Sequence, residues 1–192
     1  MISRWITWVI SPQLKKELPI EPVPQLSLSN KTKVLSVSRE YETDMITLFH
    51  ATGDFNYRAR WQEGVSRVEE VNHFLPRVGM KCRYIMDNSE VITYISNHYL
   101  YQQDKIEFSE TDEMNKSVTY YRLEKTGDTK TRLTIDLYLK QNLPAAILFR
   151  LTKKNKMMLA FRKSLENLVN VVKEIGVHDV GEASKEIKPN MC

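Results

Sequence analysis

The chain has 192 residues, a formal net charge of +4, 42% hydrophobic and 27% charged residues. That is enough apolar material to build a core without disulfide staples, and the length suits one domain with tails. The two cysteines, Cys82 and Cys192, form neither a disulfide framework nor a metal-ligand spacing, and no stretch reaches the roughly 18 apolar residues of a membrane span; a reduced, cytoplasmic protein is expected.

Met1 to Ile10 holds Trp5 and Trp8 but is interrupted by Arg4 and lacks a small-residue cleavage site, so it does not read as a secretory signal. Pro12, Pro19, Pro22 and Pro24 follow, making residues 1–32 a weakly structured arm or linker. Val34 to Ser38 has the texture of a strand. Thr43 or Asp44 caps a short helix that ends near Gly53, and a second short helix runs from Asp54 through Trp61. After Gly64 the period changes to two. Strands are predicted at Val65–Val71, Met80–Met86, Val91–Tyr99, around Ile106 and Phe108, and at Ser117–Leu123. Thr126-Gly127-Asp128 marks a hairpin into the cleanest strand, where Leu133, Ile135, Leu137 and Leu139 alternate with polar partners. Connections this short require antiparallel pairing.

From Pro144 to Ile175, the residues Ile147, Leu151, Met158, Phe161, Leu165, Leu168, Val172 and Ile175 recur at spacings of three and four, interrupted where Lys154 takes an apolar slot. Such a helix would run roughly 45 Å and needs a broad curved apolar surface to cover. The expected fold is therefore α+β: a curved antiparallel sheet wrapped around a long C-terminal helix, with two short helices after the first strand. The domain spans residues 33–176, and residues 177–192 form a flexible tail.

This order of elements resembles the helix-grip, START-like fold (the SRPBCC superfamily) of Bet v 1 relatives and bacterial polyketide cyclase/dehydrase-type proteins. Trp61-Gln62-Glu63-Gly64-Val65 with Val68-Glu69 is similar to the tryptophan and glycine-valine segment entering the second strand of bacterial members. Val78-Gly79-Met80-Lys81-Cys82-Arg83 is similar to their "V-G-T-x-x-R" entry to the third strand, with Met80 in place of Thr. The resemblance covers roughly Lys33 to Ile175 and implies a cavity between sheet and helix that in different members holds lipids, sterols, polyketides or nothing identified. The proline-rich arm lies outside it.

No catalytic set can be named. The histidines have no metal spacing, no glycine-rich phosphate loop or nucleophile elbow is present, and no cofactor is expected. The acids Glu69, Glu70, Glu107, Glu110, Asp112 and Glu113 read as outward strand positions and turns, and Asp136 as solvent-facing. His98 reads as a strand histidine satisfied by a hydrogen bond. Tyrosines crowd the strands, and an inward tyrosine gives a pocket an apolar wall with a polar tip. The expected function is non-catalytic binding of a hydrophobic or amphipathic small molecule in a cavity lined by Met80, Cys82, Tyr84, Phe108, Tyr121, Leu133, Ile135, Met158, Phe161 and Leu165. One alternative is an interaction module that docks a protein or an anionic membrane through the arm or the basic face of the last helix; nucleic acid is not expected as a partner. Another is a polyketide cyclase or aromatase, which needs polar groups converging deep in the pocket.

Overall fold

Among the described residues, alternation of period two produces seven strands, and the connections between them are such that each strand after the second pairs with its predecessor. The computed structural model describes residues 30–69, 74–140 and 153–183. Within these, β1 (Lys31–Tyr41), α1 (Met45–Gly53), α2 (Phe55–Trp61), β2 (Val65–Glu69), β3 (Lys81–Met86), β4 (Val91–Tyr101), β5 (Lys105–Asp112), β6 (Val118–Gly127), β7 (Lys130–Lys140) and α3 (Lys154–Ala183) follow in order. All pairings are antiparallel, and the sheet order is β1-β7-β6-β5-β4-β3-β2. The result is the expected α+β architecture, an open curved sheet that grips the long C-terminal helix. The proline-rich arm, the first part of the predicted helix from Pro144 and the end of the second predicted strand lie outside the described residues.

Two aspartates punctuate the helical corner. Asp44 caps α1 by accepting from the Ile46 and Thr47 amides at 2.9 and 3.0 Å. Asp54 closes α1 and caps α2 in turn, accepting from the Asn56 amide at 2.8 Å. One residue thus serves both helices. Gly64 and Gly79, the glycines of the two entry segments, have φ of +84° and +86°. Those values lie in the left-handed region that a Cβ disfavours, so both strand entries require glycine.

The larger core joins β1, β5, β6 and β7 to α1, Trp61 of α2 and the apolar stripe of α3: Leu165, Leu168, Val171 and Val172 are buried with Leu133, Ile135 and Leu137. Met158 and Phe161 pack against it partly buried. The apolar faces of the last strand and the last helix therefore share one interior, as their patterns require. The Tyr41 hydroxyl donates to the Leu165 carbonyl at 2.8 Å and anchors the middle of α3 to the end of β1. A smaller cluster of Phe55, Val65, Met80, Cys82 and Tyr84 fills the β2–β3 end.

Three features differ from the sequence reading. The last helix continues through Ala183, seven residues past Gly176, because a single glycine costs a helix only about 1 kcal/mol. Asp136 lies on the outer face of β7 as its alternation demands, yet it is 1% exposed, held by Lys33 at 3.1 Å and Arg122 at 3.2 Å. The long side chains of its cross-strand neighbours close over it. Glu107, also an outer-face residue, is buried under Lys105, Tyr120 and Arg122.

Leu137, 5% exposed and opposite Leu35, tests the orientation of β7. Leu137→Asp places a charge without a partner in the larger core and should lower stability by about 3–5 kcal/mol, seen as a fall of at least roughly 10 °C in thermal midpoint by circular dichroism. A melt within a few degrees of the parent would show that the strand is facing the other way.

Candidate ligand site

The helix α2 reads Phe-Asn-Tyr-Arg-Ala-Arg-Trp, and its buried residues are Phe55, Arg58 and Trp61. Spacing of three puts them on one stripe, so Arg58 enters the interior between two aromatic rings. On β5, Ile106, Phe108 and Glu110 share a face by alternation, and all three are buried. The helix stripe and the strand face meet, and the base of the first finds an acid of the second.

Arg58 Nη2 donates to Glu110 Oε1 at 2.7 Å, while Nη1 donates to the Tyr121 hydroxyl at 3.0 Å and more distantly to Glu110 Oε2 and Gln62 Oε1. Tyr84 and Tyr121 donate their hydroxyls to Glu110 Oε2 at 3.2 and 3.3 Å. The side chains of the ion pair are 0% and 2% exposed. Four rings box the guanidinium, those of Phe55, Trp61, Tyr84 and Tyr121, with its carbon 5.1 to 5.7 Å from their centroids. Phe108 stacks on Tyr121 at 4.5 Å and Tyr94 lies against Tyr84 at 4.7 Å, which fixes both hydroxyls.

Burial works against the charge of Arg58, but Glu110 beside it more than offsets this and holds the guanidinium above its ordinary value. Burial pushes the Tyr84 and Tyr121 hydroxyls well above the usual 10.0, and the negative Glu110 adds to the rise. The Cys82 thiol is raised by the same two causes. None of these three protons is poised to leave near neutral pH, so the cluster donates hydrogen bonds and presents no activated nucleophile. In this cluster, Arg58 Nε and Trp61 Nε1 are buried donors with no partner among the described residues.

Above the cluster, between α2 and β2, lies a depression of about 190 Å³ lined by Phe55, Asn56, Ala59, Arg67, Val68 and Phe74. Phe55 belongs to both, with its ring facing Arg58 at 5.3 Å and Tyr84 at 6.5 Å. Phe74 is 63% exposed at the rim, and its carbonyl accepts from the Phe55 amide at 3.0 Å.

The ten residues expected to line one cavity are divided by the fold. Phe108, Tyr121, Leu133, Ile135 and Leu165 are buried in the larger core, with Met158 and Phe161 packed against it; Met80, Cys82 and Tyr84 belong to the smaller cluster. Only Tyr84 and Tyr121 are brought to the ion pair, at the seam between the two clusters. Met158 edges a second depression, of about 250 Å³, beside β1. Arg58 lies outside the ten, and Glu110, expected to point outward, points in. A charged residue on the same stripe as Phe55 and Trp61 was the signal for the first. An acid in phase with Ile106 and Phe108 was the signal for the second. His98 lies on the outer face, 3.5 Å from Glu107 and stacked on Tyr120.

No protein-family model matches the chain, and no curated protein matches it either. Solved structures do. Hypothetical protein jhp0584 from Helicobacter pylori is 12% identical, with a TM-score of 0.56 over 87% of this chain and 98% of its own. Protein CV1439 from Chromobacterium violaceum is 15% identical, with a TM-score of 0.52 over 75% of this chain and 97% of its own. DynU16, a protein of the dynemicin biosynthetic locus, is 12% identical, with a TM-score of 0.51 over 75% of this chain and 47% of its own. At such identities the likeness is one of fold.

Two predictions follow from the geometry of the pair. Arg58→Met leaves Glu110 charged and buried alone, and Glu110→Leu does the same to Arg58; each should cost about 3–5 kcal/mol in urea unfolding, while the double variant should recover most of the loss. Additive losses would mean that the two groups do not compensate one another. The second concerns alkali. The folded values of Tyr84, Tyr94 and Tyr121 lie above 10.0, so the unfolded chain releases these protons first. Their contribution is intact below pH 10.0 and is lost as pH rises above it. Absorbance at the phenolate band should therefore rise for these tyrosines together with unfolding, and not before it.

Proposed function

We propose that the protein binds an amphipathic small molecule, polar end inward, in the space between α2 and the sheet, without transforming it. The observation that carries this reading is the fully buried Arg58, whose Nε lacks a partner, as does Nε1 of Trp61 against which its guanidinium lies. Each unpaired buried donor costs about 1–3 kcal/mol, and a ligand carboxylate or carbonyl oxygen would recover it. Rotation of the Phe55 ring would join the depression above to the cluster below. The apolar part of the ligand would then lie along Ala59, Val68 and Phe74, gaining roughly 25 cal/mol per Å² buried before ordering costs.

The START-like resemblance of the entry segments supports the same reading, since members of that superfamily hold apolar ligands between sheet and helix. Polar groups do converge in the interior, the condition set for a cyclase or aromatase. However, Glu110 is engaged by Arg58 and two tyrosines, and the hydroxyls hold their protons tightly, which favours orientation of a ligand over proton abstraction. A buried free thiol at Cys82 fits a reducing cytoplasm.

The reading is tested by titration with cis-parinaric acid, a fluorescent polyene fatty acid. Saturable uptake by the native protein is expected, weakened roughly tenfold by Ala59→Trp, which fills the depression, a change of about 1.4 kcal/mol. The methyl ester should bind less tightly than the acid. Uptake only after partial unfolding, or equal affinity in the Trp variant, would remove the proposed site.

A further inference from the structure

The first three turns of α3, with the residue before them, are rich in bases. Lys153, Lys154, Lys156, Arg162 and Lys163 fall within eleven residues that contain no acid, and the next charged residue, Glu166, is the first carboxylate of the helix. Only Lys163 is engaged, by Glu63 at 2.7 Å; the other four make no ion pair among the described residues. Amid them stands Leu159, 69% exposed, with Lys156 three residues before it and Arg162 and Lys163 three and four after it. Helical spacing places these three cations around the leucine on the solvent side of the turn. Lys154, on the flank nearer the sheet, edges the depression of about 250 Å³ whose floor is Val34, Leu35 and Met158.

We propose that this part of α3 is a docking face for an anionic phospholipid bilayer. Cations around an exposed leucine, of which Lys156 and Arg162 make no ion pair among the described residues, match a surface that is negative outside and apolar just beneath. The cations would settle among phosphate and carboxylate headgroups, while Leu159 reaches the acyl boundary. A solvated helix face would mix acids with bases and would not set a large apolar side chain at the centre of the charge. This inference stands apart from the ligand reading, because the depression under Phe74 lies at the β2 edge of the sheet, whereas the basic face begins at the β1 edge.

The test is co-sedimentation of the full chain with vesicles of phosphatidylcholine alone or mixed with an equal share of phosphatidylserine. Binding is expected only to the mixed vesicles. It should weaken steeply between about 0.1 M and about 1 M salt, as the screening length falls from about 10 Å to about 3 Å. Lys156→Gln with Arg162→Gln removes two cations and should lower the partition coefficient roughly thirtyfold. Leu159→Glu should lower it further. A control, Lys125→Gln with Lys130→Gln at the β6–β7 hairpin, changes net charge equally but lies beside Tyr41, at the far end of β1 from Lys33, and should leave binding intact. All these side chains are at least partly exposed, so thermal melts should match the parent. Equal binding to both vesicle types, insensitivity to salt, equal loss in both double variants, or no vesicle binding at all would each overturn the proposal; the last would turn attention to an acidic protein partner.

Discussion

Taking Arg58 and Glu110 out of water costs several kcal/mol per ion before any attraction between them is counted. Much of the interior is arranged to offset that cost. Tyr84 from β3 and Tyr121 from β6 bring hydroxyls to the carboxylate, Gln62 accepts from the guanidinium, and four rings surround it. The pair connects α2 to β5, elements 52 positions apart, and sits where the two apolar clusters meet. Apolar packing alone would tolerate small slippages of α2 over the sheet. A two-point charged contact tolerates far less, because a slipped helix would strand both charges.

How much of this could be read from the chain depends on the kind of signal. Strand alternation and the spacing of α3 are statements about which face is apolar, and burial of that face decides the architecture; the sheet, the two short helices and the long helix were accordingly legible. The site was not. Glu110 reads as outward by its charge, and Arg58 stands out by no motif, whereas their phase with Phe108 and with Phe55 and Trp61 is what matters. A lone charge in phase with an apolar stripe is costly unless a partner exists elsewhere, and the partner lies on another element, beyond the reach of local pattern. Asp136 and Glu107 show the converse: alternation placed them on the outer face correctly, but exposure there depends on neighbours across strands. Lys33 and Arg122 cover Asp136, and Arg122 also reaches toward Glu107.

The outer face of the sheet thus carries a second charged layer, while the concave side carries the pair. Between them the helix α3 divides its length by task. Its later turns meet the end of α2 and the turn after it, through Asn167 reaching the Trp61 carbonyl and Ser164 accepting from the Glu63 amide. Its first turns present bases to the outside. A single element therefore touches both the corner that holds Arg58 and the face read as membrane-directed.

The strand order has a consequence for how the chain acquires its structure. From β2 to β7 every pairing joins sequence neighbours, so this meander forms by short loop closures. β1 is the exception, since its partner is β7 and Lys31 lies opposite Lys140. During synthesis the first strand emerges early and its pairing edge waits unpaired until the last strand is made. A waiting strand of eleven residues is exposed to pairing with other chains. Lys31, Lys33 and Arg39, spaced along it, are the residue types that discourage such contacts, which gives these charges a role before the fold exists.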